Sequence, residues 1–168
     1  MWKYLCPKQY VEGIHEINLQ WLESKGIKGL ILDLDNTLVP WNECTVFPEI
    51  EEWIEEIKEI GFRACIVSNN NSQRGRDLSE LFDFPAFWKA VKPRRRAFRK
   101  ALDLMGVKPS QAAVVGDQVF TDVLGGNRLG LYTILVQPLS RREFLGTMYV
   151  RKVERLVLRG LRRRGYLK

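Results

Sequence analysis

Gly29-Leu30-Ile31-Leu32-Asp33-Leu34-Asp35-Asn36-Thr37 is the stretch that decides the architecture. From Gly29 to Leu34 it is apolar on both faces until Asp33, the pattern of a strand buried between two layers. Working outward, one grammar repeats: apolar strand, polar turn, amphipathic helix. Pro48 to Ile60 is helical, with Ile50, Trp53, Ile54, Ile57 and Ile60 on one stripe and glutamates opposite. Phe62 to Val67 is a second strand, followed by the polar turn Ser68-Asn69-Asn70-Asn71 and a helix from about Ser72 to Leu81. Ala86 to Val91 reads as a short strand ending at Lys92-Pro93, since the residue before proline is steered away from helix. Arg95 to Met105 is helical with a Gly106 stop, and Ala112 to Val115 is a strand opening into Gly116-Asp117. Phe120 to Leu129 reads as helix and Leu131 to Val136 as the last strand. Towards the N-terminus, Asn18 caps a helix through Lys25, stopped by Gly26. This alternation predicts an α/β fold: a parallel sheet with helices on both faces. In such sheets ligands sit outside the carboxyl ends of the strands.

The 168 residues suit one domain, and 45% of them are hydrophobic, too apolar for a disordered chain. Three widely spaced cysteines, no CxxC and a single histidine, His15, argue against structural zinc and histidine-based catalysis. They point to a reducing compartment, hence the cytoplasm. No charge-free stretch approaches a membrane span, and no signal peptide precedes Cys6. The net charge of +7 is unevenly spread: residues 141 to 168 hold ten Lys or Arg against two Glu, whereas residues 1 to 140 are nearly neutral. Such a tail suits an anionic partner surface, nucleic acid or lipid headgroups, or else a solvated helix face.

The predicted carboxyl ends collect chemistry. Asp33, Asp35 and Thr37 follow the first strand, Ser68 and Asn69 the second, Lys92 the third, and Asp117 and Asp122 the fourth. Isolated, each passes for a turn or cap residue. Together, carboxylates without histidine or thiolate describe a site for a hard, oxygen-ligated cation, most naturally Mg²⁺. The set suits phosphoryl transfer. One aspartate attacks phosphorus, and a second acid two residues on protonates the leaving oxygen and then activates water. Ser68, the Asn69 amide and the Lys92 ammonium hold the phosphoryl oxygens.

Asp33-Leu34-Asp35-Asn36-Thr37 resembles the DxDx[TV] first motif of haloacid dehalogenase-like (HAD) phosphatases. Ser68 matches their second motif, Lys92-Pro93 the third, and Gly116-Asp117-Gln-Val-Phe-Thr121-Asp122 the fourth, GDxxxTD. Successive anchors stand 35, 24 and 25 residues apart, in the family's order. More narrowly, DLDNTLVPW and GDQVFTDVLGGNRLG resemble the subclass IIIA, YqeG-type phosphatases of bacteria, which are similar to mitochondrial phosphatidylglycerophosphate phosphatases. The resemblance implies a single Rossmann-like HAD domain, with Asp33 as nucleophile and Asp35 as general acid and base. It implies Mg²⁺ held by the Asp33 carboxylate, the Asp35 carbonyl and Asp117. Asp122 would stand in the metal's outer shell or orient Lys92, and Thr37 would fix the turn that carries Asp35. The implied reaction is hydrolysis of a phosphate monoester, best matched to phosphatidylglycerophosphate yielding phosphatidylglycerol.

The gaps between motifs are filled by single helices and strands, leaving no room for a separate cap domain. An open site suits a large phosphorylated substrate whose own bulk covers the chemistry: a protein, a nucleic-acid end, or a lipid headgroup presented in a membrane. Trp41, beside the nucleophile, reads either as a contact for the leaving group or as a packing anchor. Residues 1–140 are read as the phosphatase domain and 141–168 as a basic amphipathic helix packed on it or appended to it. In that helix Leu145, Tyr149, Val153, Leu156 and Val157 are assigned to an apolar face, and Arg151, Arg155, Arg159 and Arg162 to a basic stripe. Such a helix fits a peripheral seat on the inner face of a membrane. A second basic cluster, Lys92-Pro93-Arg94-Arg95-Arg96 with Arg99 and Lys100, begins at the site lysine and suits further phosphates of an anionic substrate or RNA. Two rivals stand beside this reading. A receiver domain fails on motif order. An RNA- or ribosome-associated factor using the basic tail lacks any RNP, KH or zinc-finger signature.

Overall fold

The structure is a computed structural model that describes residues 2–140 and 145–167, with side chains of 145–149 left aside. Six strands form one parallel sheet: β1 (Gln9–Val11), β2 (Gly29–Leu32), β3 (Arg63–Val67), β4 (Ala86–Phe87), β5 (Ala112–Gly116) and β6 (Tyr132–Val136). Their order is β1-β6-β5-β2-β3-β4. The helices are α1 (Leu19–Ser24), α2 (Pro48–Ile60), α3 (Gln73–Phe82), α4 (Arg95–Met105), α5 (Leu124–Asn127) and α6 (Leu145–Arg163). Alternation along the strands sorts the core into two layers. Leu30, Leu32, Ala64, Ile66, Ala113 and Val115 face helices α1 to α3, meeting Leu22, Trp53, Ile57 and Leu78. Ile31, Cys65, Val67 and Val114 face α4, meeting Phe98, Ala101 and Leu102. Val157 and Leu158 of α6 pack on that second face, against Leu135 and Val119.

Helix ends follow the local chemistry. Asn18 caps α1 by accepting the Trp21 amide at 2.7 Å, and Ser72 caps α3 by accepting the Gly75 amide at 3.1 Å. Pro48 opens α2, where its missing N–H costs nothing, and Gly61 closes it at φ 88°, a left-handed turn that leads straight into β3.

Differences from the sequence reading are local. Residues 9–11 add a strand, β1, that pairs parallel with β6 at the sheet edge. The strand expected over Ala86 to Val91 stops at Phe87, because Lys89 and Val91 take positive φ and leave the ladder. The strand expected to reach Leu34 ends at Leu32, where the chain turns into a bridge between Asp35 and Val39. The helix expected from Phe120 opens as a π-helical turn, Val119–Val123, ahead of α5.

The tail helix presents a different face from the one assigned to it. Val153 is 50% and Leu156 64% exposed, while Glu154 and Leu161 are buried and Val157 and Leu158 half-buried. Burial thus follows the 154, 157, 158, 161 rows, and a charged residue leads the inward face. Arg151, assigned to an outward basic stripe, points inward instead, into the group described below. The expected start near Arg142 and the side chains of Leu145 and Tyr149 lie outside the described residues.

Candidate active site

The order of the strands sets the place of the site. From β2 the chain moves outward through β3 to β4, then crosses back to β5 on the other side of β2. The reversal between β2 and β5 leaves a crevice at their carboxyl ends, where ligands of such sheets bind. Asp33 follows β2 and Asp117 follows β5, and the Asp33 amide donates to the Val115 carbonyl at 2.9 Å. The two carboxylates are thereby brought side by side.

Asp33 is buried and held from both sides. Its Oδ1 receives the Lys92 ammonium at 2.5 Å, and its Oδ2 accepts from the Thr37 hydroxyl at 3.2 Å. Lys92 also donates to Asp122 Oδ1 at 2.7 Å, and its own amide donates to the Asn69 side-chain oxygen at 2.7 Å. Asp122 Oδ2 accepts from the Thr121 hydroxyl at 3.0 Å and the Gln118 amide at 3.3 Å. Asp122 is thus engaged on both oxygens, as a residue that orients Lys92 would be. Its approach depends on Gly116, since a Cβ there would stand 2.3 Å from the Asp122 carboxyl carbon.

The turn after β2 is tied down by Asn36, which adopts φ 64°. Its buried side-chain oxygen accepts the Trp41 and Ser140 amides at 3.1 and 3.2 Å. Asp35 leaves this turn toward the open side, where Arg74 of α3 forms an ion pair with it and also donates to the Glu43 carbonyl. Ser68 is buried at the end of β3, and its hydroxyl accepts the Asn70 amide at 3.1 Å. Asp33, Asp35, Trp41, Ser68, Asn69 and Lys92 line a single cleft of about 420 Å³. Trp41 therefore faces the cleft as well as anchoring the loop.

Asp33, Asp117 and Asp122 form an acidic group whose ligand atoms lie within 4.8 Å of one another. The Asp35 carboxylate stands apart from it, on Arg74. Asp117 has one oxygen paired with Arg151, while its Oδ1 is buried with no hydrogen-bond partner. An orphaned carboxylate oxygen at such depth is costly unless a cation meets it. When ionised, the buried carboxylates of Asp33, Asp117, Asp122 and Glu154 exceed the cations Lys92 and Arg151 by two charges. All donors are hard oxygens, so the residues fit a divalent cation of the Mg²⁺ type, with Asp33 and Asp117 placed to hold it.

Electrostatics record the same strain. Burial pushes the Asp33 carboxyl up to about 6 against the opposing pull of Lys92. Burial also drives Asp117 well above the usual carboxylate range, with Arg151 opposing. Burial alone would lower Lys92, but the charges of Asp122 and Asp33 outweigh it and hold the ammonium above its ordinary value. Three functional candidates were invisible in the motifs. Arg74 lies 39 residues from its partner Asp35, Arg151 lies 34 from Asp117, and Glu154 reads as an ordinary helix acid.

The sequence profile of haloacid dehalogenase-like hydrolases matches residues 39–130, more than half of the chain. The chain belongs to the haloacid dehalogenase-like hydrolases. Among its relatives is the Bacillus subtilis protein described as probable phosphatase YqeG, 43% identical over 98% of this chain and 96% of the relative. Another is phosphatidylglycerophosphate phosphatase 1, chloroplastic/mitochondrial, of Arabidopsis thaliana, 29% identical over 96% of this chain. The chain spans about half of that plant protein's length, 48%. A structure of an uncharacterised Listeria monocytogenes protein shares the fold with a TM-score of 0.56 at 18% identity, covering 79% of this chain and 97% of that one. The cobalt-bound deoxy-D-mannose-octulosonate 8-phosphate phosphatase of Haemophilus influenzae aligns with a TM-score of 0.56 at 14% identity, covering 80% and 89%. This HAD hydrolase is a phosphatase of the capless kind: none of the three gaps between its motifs holds an inserted domain.

Proposed function

We propose that this HAD phosphatase hydrolyses a phosphate monoester through an aspartyl-phosphate on Asp33. An Asp33 oxygen forms the new bond to phosphorus as the bond to the leaving oxygen breaks. Asp35 gives that oxygen a proton, then takes one from the water that releases phosphate and restores Asp33. Lys92, fixed by Asp122, neutralises charge on the transferring group, and Ser68 with the nearby amides orients its oxygens. Mg²⁺ held by Asp33 and Asp117 would supply the positive charge that lets an anionic nucleophile approach an anionic phosphate. The Asp35–Arg74 pair bears on this role: a carboxylate salt-bridged at rest must lose that partner, or share it with the substrate, before it can carry a proton.

The observation that carries the reading is the meeting of Asp33, Lys92 and Asp117 at the crevice between β2 and β5. For the leaving group we favour phosphatidylglycerol, making phosphatidylglycerophosphate the substrate. Support comes from the plant relative and from the surface of α6. That helix exposes Val150, Val153 and Leu156 beside Lys152, Arg155 and Arg159, a mixed face suited to an anionic bilayer. Among the described residues no helix is long and apolar enough to cross a membrane, so the seat proposed is peripheral, on a cytoplasmic membrane face. Phosphate release from phosphatidylglycerophosphate in anionic vesicles, run beside a soluble aryl phosphate, tests both levels. Cleavage of both substrates, abolished by Asp33→Asn, supports the whole reading. Cleavage of the aryl phosphate alone keeps the chemistry and rejects the lipid.

A further inference from the structure

Arg151 is the cation that the motifs do not supply. It leaves α6 near the middle of the chain's last helix and reaches Asp117, the aspartate whose second oxygen has no partner. One guanidinium nitrogen pairs with Asp117 Oδ2, and the other donates to the Asp117 carbonyl. A carboxylate gripped at its side chain and its own backbone cannot rotate. The same guanidinium meets Glu154 Oε2 at 3.1 Å. Glu154 is 2% exposed and uses its other oxygen to accept the Phe120 amide, at 3.0 Å. Phe120 lies in the π-helical turn between Asp117 and Asp122. The pair therefore holds the fourth-motif loop at its start, Asp117, and again at Phe120.

A buried acid and a half-buried base facing inward from a surface helix would be a poor choice for packing alone. Replacing such a pair by apolar residues is often neutral or stabilising. Charge balance gives the pair a different meaning. Glu154 cancels the charge of Arg151, so the clamp fixes Asp117 without adding net repulsion against a cation nearby. It occupies Oδ2 and leaves Oδ1 as the free ligand atom.

The geometry points to Arg151 and Glu154 as positioning residues of the metal centre, through which the docking of α6 and the binding of a divalent cation are linked. The inference rests on Asp117 being a ligand, as read above. Outer partners that orient a ligand typically change metal affinity by about 10- to 100-fold when removed. Linkage is reciprocal: if a docked α6 favours the cation, the cation favours a docked α6.

Two measurements with Mg²⁺ alone, without substrate, test this. In the wild-type chain, hydrogen exchange of amides in 150–163 should slow on Mg²⁺ addition. Calorimetric titration should show Arg151→Met binding Mg²⁺ about 10- to 100-fold more weakly, with Arg151→Lys intermediate because an ammonium keeps the charge but lacks the planar fork that meets the Asp117 carboxylate, the Asp117 carbonyl and Glu154 together. Glu154→Gln should weaken it in the same direction. Exchange in α6 indifferent to Mg²⁺ would overturn the linkage without any variant needing to fold. Unchanged or tighter Mg²⁺ binding by a folded Arg151→Met would overturn it too, since Arg151 would then be a bystander or a competitor. No Mg²⁺ binding by the wild type, at any concentration that supports phosphatase activity, would instead reject the ligand role of Asp117.

Discussion

Asp33 shows how neighbours set the charge of one side chain. Burial disfavours its charge, and Lys92 and Thr37 restore part of what water supplied. Its folded-state value of about 6 lies above the ordinary carboxylate value of 3.8. A raised acid contributes stability that is complete below the ordinary value and is lost as pH rises through the folded one. Asp117 shifts in the same direction. The metal-free protein should therefore lose thermal stability as pH climbs from about 4 through 6. Mg²⁺ should reverse this, so the gain in Tm on adding it should grow over the same window. Melting curves at stepped pH with and without Mg²⁺ check it, and a gain independent of pH would count against a carboxylate cation site. Gly116 carries a second expectation at this scale. Gly116→Ala places a methyl group against Asp122, an overpacking that should cost about 1–3 kcal/mol and turn Lys92 away from the cleft. Chemical denaturation and aryl-phosphate turnover should both register the loss.

At the scale of elements, legibility varied with how local the cause was. Pro48–Ile60 and Arg95–Met105 have the bounds read from sequence, because proline, glycine and an amphipathic stripe are signals within the segment itself. The strand ends carrying Asp33, Ser68 and Asp117 were legible for the same reason, whereas β4 stops at Phe87, short of Lys92. β1 was not: three residues hold no periodicity, and Gln9–Val11 is a strand only because β6 offers an edge across the chain. Helix α6 was legible as a helix and misread as a surface. A helical wheel shows which residues share a face but not which face a sheet will cover. Here the buried acid Glu154 and the inward Arg151 decided it, through partners some 34 residues away. The inward Arg151 decides which arginines of α6 a membrane test can replace. Arg155→Gln, Arg159→Gln and Arg163→Gln together leave Arg151 in place and remove three exposed cations. Each arginine near an anionic bilayer contributes about 1 kcal/mol at low salt. The triple variant should bind anionic vesicles more weakly in a flotation assay while keeping full activity on a soluble aryl phosphate. Equal flotation at low ionic strength would remove α6 from the lipid reading.

Across the whole molecule, a parallel sheet with a reversal in its strand order brings together residues 33, 68, 92 and 117 from the segments that follow four separate strands. The helices on one face stabilise the sheet, and on the other face α6 adds Arg151 to the reacting end. Asp33, Ser68 and Asp117 were readable because each directly follows a strand, a position that sequence spacing reveals. Arg74 and Arg151 were not, because the only thing bringing them to the site is tertiary packing. The account as a whole stands on Asp33 being the residue that carries the phosphoryl group. Rapid acid quench of the Mg²⁺-loaded protein with an aryl phosphate, followed by peptide mass analysis, reads this directly. The account predicts one phosphoryl group on the peptide containing Asp33, absent from Asp33→Asn, whose turnover should fall by on the order of 10⁴-fold or more. Full turnover by Asp33→Asn, or a phosphoryl group trapped on another residue, would contradict it.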